Sequence, residues 1–312
     1  MAEQPSEVRK LFPLVIDTAE GFHADCPRCE DSEKKLYWNE AKNVGCCFHV
    51  DCPWFKDRGG VTERRLRAYF PSHFGISFHP PREIREAEEA DLSLPKEFQL
   101  LGELPKRQCS EIQDYLGSRG LGKRILERAK VGYCNKGKLW GYIVFPVFNE
   151  DGEVVYWQAR RYKNRTPKFH NPKSSRKSEL IYRIGIAKRP RSIILVESII
   201  NVLTLESPSN SSPTRNLILG LLGKSMSSSQ LDRVLSHEKW LKEIVVALDG
   251  DARREAVGMA DQLSGIVPTH IAEIPVGEDI NSLGRERSWK LIYSAPLYKP
   301  TSRMELLAGV RA

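Results

Sequence analysis

Five of the seven cysteines of this chain fall between Cys26 and Cys52. Cys26-Pro-Arg-Cys29 is a C-x-x-C knuckle, and about seventeen residues later comes the run Cys46-Cys47-Phe48-His49-Val50-Asp51-Cys52. Two tight pairs at this separation fold as a β-hairpin ribbon around one tetrahedral Zn²⁺. The preferred ligand set is Cys26, Cys29, Cys47 and Cys52, with His49 as the substitute and Cys46 as the last choice. The strands between the knuckles are expected over 35–39 and 43–47. A closed four-ligand site stabilises a small domain and does no chemistry. A redox C-x-x-C would need a βαβ context, and none surrounds Cys26. Cys109 and Cys134 stand alone and read as packed thiols. The start, MAEQPSEVRK, has no apolar run behind a basic end, and no stretch approaches the length of a membrane span, so a cytoplasmic chain without a membrane partner is expected.

The length of 312 residues leaves room for more than a ribbon. From residue 192 onward, strand-like runs (SIILV, NLILG, EIVVA, THIAEI) alternate with helical ones (SIINVLTLE, SSSQLDRVLSH, ARREAVGMADQLS), which predicts a parallel sheet with crossover helices. Ahead of it, SEIQDYLGSRGL and 123–129 are helical. Two β-rich runs flank Asn149-Glu150-Asp151-Gly152, a hairpin signal. The prolines and the acidic run at 83–91 mark a linker, and 11–16 reads as a strand. The expected organisation is a zinc-binding domain over 1–72, a linker over 73–95, a basic α+β subdomain over 96–191, a parallel α/β subdomain over 192–283 and a tail over 284–312. The tail is either a docked helix or a disordered end.

Charge sharpens this division. The net charge is +8, yet residues 154–193 hold twelve basic residues against Glu179 alone, a net of +11 that leaves −3 for the remainder. Tyr156, Trp157, Tyr162, Phe169, His170 and Tyr182 are interleaved with those cations. Cations for phosphates beside flat rings for bases is the chemistry of single-stranded nucleic-acid binding, set against the plain alternative of a solvated basic face.

Acids complete the pattern. Glu197 ends the first strand of the parallel region, Asp249 and Asp251 end EIVVALDGD, and Asp279 lies in GEDIN after THIAEI. Ligand sites in open α/β sheets gather at the carboxyl ends of strands. Converging carboxylates there are hard oxygen donors suited to Mg²⁺ or Mn²⁺. Each acid alone could be a helix cap. An EF-hand is excluded because Arg253 and Arg254 stand where acid and glycine are needed. A haloacid-dehalogenase phosphatase would place its D-x-D early in its domain.

The combination resembles a bacterial-type (DnaG-like) primase, in a short phage or mobile-element form. LVES…ALDGD…GEDIN is similar to the TOPRIM fold of these primases. Pro167-Lys168-Phe169-His170-Asn171 and SELIYRIGIAK are similar to segments that precede it in the family. The resemblance runs from about residue 21 to about residue 283. It departs from the family at Ser198 and Asn201, where glycine and aspartate are usual.

The resemblance implies primer synthesis on a single-stranded DNA template from ribonucleoside triphosphates, in the cytoplasm of a bacterium or a phage-infected host, with a replicative helicase in trans. It implies Asp249 and Asp251 as Mg²⁺ or Mn²⁺ ligands with Asp279 assisting, and Glu197 as a ligand or the general base. Arg160, Arg161, Lys163, Lys168 and Asn171 would hold nucleotides or the nucleic-acid backbone. The structural zinc would support a ribbon that reads the template, with Trp38 and Trp54 as stacking rings and Phe48 as core. Two rivals are a non-catalytic zinc/TOPRIM binding protein of the recombination-mediator type, which Asn201 favours, and a TOPRIM nuclease. A topoisomerase would need a strand-passage domain for which there is no room.

Overall fold

The computed structural model describes residues 8–29, 31–50, 52, 54–55, 61–67, 69–70, 93–103, 106–163, 167–172, 175–185, 189–207 and 216–308. The chain forms two compact units, one from residues 1–80 and 258–268, the other from 81–257 and 269–312. Most of the linker expected over 73–95 lies outside the described residues, as do Arg165, Lys173 and Lys188 of the basic stretch.

In the first unit, β1 (Val15–Asp17), β2 (Gly21–Cys26), β3 (Asp31–Asn39), β4 (Val44–Cys47) and β5 (Val61–Thr62) form an antiparallel sheet in that order, followed by α1 (Glu63–Arg67). Strand 11–16 is shorter and later than expected. A 3-10 turn at Arg9–Leu11 precedes it, and Pro13 lies between the two. Side chains alternate across the sheet. Phe22, Ala24, Leu36, Trp38 and Cys47 are buried on the inner face, whereas His23, Tyr37 and Cys46 lie on the other.

The second unit opens with an antiparallel sheet in the order β10-β9-β8-β7-β6, built from β6 (Phe98–Leu100), β7 (Gly132–Cys134), β8 (Tyr142–Phe148), β9 (Val154–Arg161) and β10 (Phe169–His170). Between β6 and β7 come α2 (Lys106–Ser118) and α3 (Lys123–Arg128). The β8–β9 turn is set by Asn149, whose Oδ1 accepts the backbone N–H of Asp151 (3.0 Å) and Glu153 (2.8 Å). Tyr133, Ile143, Phe145, Val147 and Tyr156 face a core shared with α2, α3 and the parallel sheet. Cys134, Tyr142, Val144, Trp157 and Ala159 form a smaller cluster on the opposite face.

The parallel sheet has the order β12-β11-β13-β14. Its strands are β11 (Ser192–Val196), β12 (Asn216–Gly220), β13 (Glu243–Val246) and β14 (Thr269–Ile271). The chain adds β12 on one side of β11 and β13 on the other, which makes the carboxyl end of β11 a switch point where ligands bind in such folds. All five β11 residues are buried, as a strand covered on both faces requires. Each such Ile, Leu or Val contributes about 1.5–3 kcal/mol. The connecting helices are α4 (Ile199–Glu206), α5 (Ser228–Leu235) and α6 (Arg253–Ser264). Ser227 caps α5 in a reciprocal box with Gln230. Tyr182 and Gly220 exchange two backbone bonds of 2.8 Å, which pins the end of the basic stretch to β12.

Helix α7 (Ile280–Tyr293) carries a break at Gly284 (φ 72°), and its second half buries Trp289 and Ile292 in the shared core. The segment after residue 283 therefore begins as a docked helix, and α8 (Arg303–Ala308) follows. Asn281 ties three pieces together. Its Oδ1 accepts from the Arg119 guanidinium (2.7 Å), and its Nδ2 donates to the Arg119 carbonyl (2.8 Å) and to Thr204 Oγ1 (2.9 Å). Among the described residues no helix is long and apolar enough to cross a membrane.

Candidate functional site

The first centre is the cysteine cluster of the ribbon. The Sγ atoms of Cys26, Cys29, Cys47 and Cys52 all lie within 4.8 Å of one another, with Cys26–Cys52 at 3.8 Å and Cys29–Cys47 at 3.7 Å. A tetrahedron with arms of about 2.3 Å has edges of about 3.8 Å, so one Zn²⁺ fits this set. The sulfurs also receive backbone N–H groups: Arg28 and Cys29 at Cys26, His49 at Cys47 (3.4 Å), and Trp54 at Cys52. These dipoles favour thiolate, the ligating form. The hydrogen bond with Cys52 and burial raise the Cys26 thiol, while the same bond lowers Cys52. Cys46 points to the other face of β4, and His49 reaches the cluster through its backbone only.

The second centre lies at the carboxyl ends of β11 and β13. Glu197 directly follows β11, and its Oε2 is buried with no hydrogen-bond partner among the described residues. Burial, then the charges of Asp249, Asp251 and Glu255, push its carboxyl up to about 7 against the opposing pull of Lys224. Asp249 is also raised, mainly by burial, although its Oδ1 accepts Asn201 Nδ2 at 2.9 Å. Asp251 is instead lowered, because Lys224 Nζ lies 2.7 Å from its Oδ2. Between the two aspartates, Gly250 meets the backbone: a Cβ there would sit 1.9 Å from the Pro275 carbonyl oxygen. The glycine is needed for close approach rather than for a tight turn.

Asp279 is placed differently from the other acids. It is the N-cap of α7, with Oδ1 accepting the Ser282 N–H at 2.6 Å, and it reaches the cluster only through its charge on Asp249. A buried, unpartnered carboxylate oxygen within the charge field of two aspartates suits a hard divalent cation, although among the described residues the four cysteines are the only group of three or more ligating side chains close enough together to share one ion.

The basic strand is linked to these acids by the charge of Asp279 on Arg160, and it divides its cations between two faces. Arg160 and Arg161 are neighbours on β9 and therefore face opposite ways. Arg160 Nε donates to Tyr115 Oη (2.8 Å), its guanidinium lies over the Phe169 ring, and it feels the charge of Asp279. Arg161 covers the Tyr142 ring on the far face and donates to its hydroxyl (3.1 Å). Lys163 is paired with Glu111 at 2.7 Å, both groups being exposed. Lys168 lies near the ring of Phe169, which is exposed. Asn171 Oδ1 is buried and unpartnered among the described residues.

The stacking rings expected in the ribbon need correction. Trp38 and Trp54 are both 0% exposed, so neither has an open face for a base. Trp38 lies over Gly45, where a Cβ would come within 2.6 Å of its ring, and Trp54 packs edge-on to Tyr69. Phe48, expected in the core, is 53% exposed beside His23. It lies beyond the end of β4, where strand alternation no longer fixes the facing of a side chain.

Two residues of the acidic centre, Lys224 and Glu255, and one contact, that of Asn201 with Asp249, escaped the sequence pattern. Lys224 follows β12, the neighbour of β11, so the rule that pointed to the acids could have found it. Glu255 lies in the first turn of α6, where an acid reads as ordinary helix-dipole compensation.

No family model and no curated protein matches the sequence. The fold, however, is that of solved DnaG primase domains. The Aquifex aeolicus primase, comprising zinc-binding and RNA polymerase domains, is similar over 98% of this chain and 90% of that one, with 18% identity and a TM-score of 0.51. The RNA polymerase domain of Mycobacterium tuberculosis primase DnaG is similar over 68% and 84%, with 18% identity and a TM-score of 0.53. A DnaG primase catalytic domain bound to single-stranded DNA is similar over 64% and 78%, with 17% identity and a TM-score of 0.52.

Proposed function

We propose that the chain is a DNA primase, which makes short RNA primers on single-stranded DNA by nucleotidyl transfer. The observation that carries this reading is the gathering of Glu197, Asp249 and Asp251 at adjacent parallel-strand ends, with Arg160 in electrostatic reach through Asp279, in a fold of primase type. Glu197 and Asp249 would hold Mg²⁺ or Mn²⁺. The ion would supply Lewis-acid activation of the 3′-hydroxyl and charge neutralisation at the phosphates. Glu197, whose carboxyl ionises near 7, is a ligand once deprotonated or a base that takes the hydroxyl proton at neutral pH. Asn201 holds Asp249 in place with a neutral donor, where the resembled family has an acid.

Arg160 and Lys168, around the exposed Phe169 ring, would take phosphates and a base on the face turned toward the acids. Arg161 belongs to the other sheet face and would touch only strand that wraps around the edge. The zinc ribbon would hold the template, with Phe48 rather than either tryptophan available for stacking. The parallel region would be a TOPRIM subdomain.

The test is incubation with single-stranded DNA, ribonucleotides and Mg²⁺ or Mn²⁺, with Asp249→Ala as the control. Template-dependent oligoribonucleotides that fall at least about 100-fold in the variant are expected, the scale of a lost electrostatic anchor in a transition state. Cleavage without synthesis would reject the primase for a nuclease. Tight binding with neither reaction would reject it for a binding module.

A further inference from the structure

We propose that Lys224 is a resident counter-ion of the acidic centre, occupying at Asp251 the place of a divalent cation. The centre then takes one divalent ion, held by Glu197 and Asp249, and admits a second at Asp251 only if Lys224 withdraws. This inference rests on the reading of the acids as a cation site.

The acids differ in what already satisfies them. Asp249 is held by a neutral amide, Asn201 Nδ2 at 2.9 Å, which brings no charge to it. Glu197 Oε2 is buried and has no donor among the described residues. Asp251 alone has a full positive charge in contact, Lys224 Nζ at 2.7 Å. The lysine charge acts on Glu197 and Asp249 as well, and is itself acted on by Glu255.

Lys224 comes from the loop after β12, a different strand from the one that carries Asp251, so the contact is set by sheet order and not by local sequence. Its side chain is 41% exposed and that of Asp251 63% exposed. An exposed ion pair of this kind is worth little to folding. Beside three further carboxylates, however, the same ammonium competes directly with any cation that seeks Asp251. A lysine cannot bridge two carboxylates as tightly as a bare divalent ion, but it requires no dehydration of a metal and is always present. The consequence is a lower ion stoichiometry and a weaker apparent affinity than the number of acids suggests.

Mn²⁺ binding to the full chain with its zinc in place tests this, measured by the paramagnetic resonance of free Mn²⁺. The wild type should bind one Mn²⁺. Lys224→Ala should bind a second, or bind Mn²⁺ on the order of tenfold more tightly, the effect of removing one competing charge at a half-exposed site. Lys224→Arg should behave as the wild type, and adding Asp251→Asn to Lys224→Ala should restore the single-ion behaviour. An alanine variant with unchanged stoichiometry and affinity overturns the proposal. So does an arginine variant that shifts as alanine does, since charge would then not be the cause. Failure of the underlying reading looks different: Mn²⁺ would bind neither the wild type nor Lys224→Ala above the level of Asp249→Ala, which removes the cation site and the competition together.

Discussion

The two candidate metal centres of this molecule are assembled in opposite ways. The cysteine centre draws its ligands from two short segments of one ribbon, and the sulfurs stand at tetrahedral spacing with backbone N–H groups turned toward them. The acidic centre draws on residues from the ends of β11 and β13, the loop after β12 and the first turn of α6, and burial, then neighbouring acids, raise the Glu197 and Asp249 carboxyls. An ion held by the four cysteines would join the two knuckles directly and so add to the folding free energy of the ribbon. The acidic centre lies on a sheet with an ample core, and its Glu197 and Asp249 carboxylates oppose folding when ionised. The cysteine cluster is placed to tie the two knuckles of the ribbon together, whereas the acids are charges that the fold brings close at a cost.

The largest effect expected from this contrast is in the ribbon. Cys47→Ser, or removal of zinc by a strong chelator, should unfold residues 8–70 while the parallel sheet stays folded. Proteolysis confined to the first eighty residues would show it, and equal protection in both halves would end the contrast. Next comes the acidic centre, with the opposite sign. Burial and neighbouring acids push the Glu197 carboxyl up to about 7 in the fold against an ordinary value of 4.5. The folded state therefore binds the extra proton, and stability is lost as pH rises through that window. Without added divalent ion, Glu197→Gln should be more stable than the wild type at pH 8 by about 1–2 kcal/mol after allowance for solvent screening, with the difference gone at pH 4. Denaturant melts at the two pH values decide it, and a variant that is less stable at pH 8 would sink the idea. The smallest effect separates the two faces of β9. Arg160→Ala should lower the salt slope of single-stranded DNA binding by about one and Arg161→Ala by less. Equal slopes would mean that facing does not matter.

The cysteine centre was legible because its ligands are close in sequence, so spacing alone encodes the geometry. The strand–helix alternation was legible because a parallel sheet buried on both faces leaves runs such as Ser-Ile-Ile-Leu-Val that have few other uses. The acids were found through the rule on strand ends, which names positions but not partners. It does not show that Asn201 grips Asp249 or that Lys224 reaches Asp251. Those facts depend on strand order, which the sequence does not print. Trp38 and Trp54 misled for a different reason. A tryptophan near a metal knuckle suits core and surface equally well in composition, and only the alternation from Leu36 and the gap at Gly45 decides for the core.

The amide of Asn281 has a reach beyond its three hydrogen bonds. It fastens the end of α2 to α4 and α7, and α7 is capped by Asp279, whose charge acts on both Asp249 and Arg160. This amide is one pin, beside the Tyr182–Gly220 pair and the shared core, that keeps the cations of the antiparallel sheet and the carboxylates of the parallel sheet at their separation. Loosening that pin would leave every charged group in place and detune the distance between them, a fault of alignment in a molecule with all its parts intact.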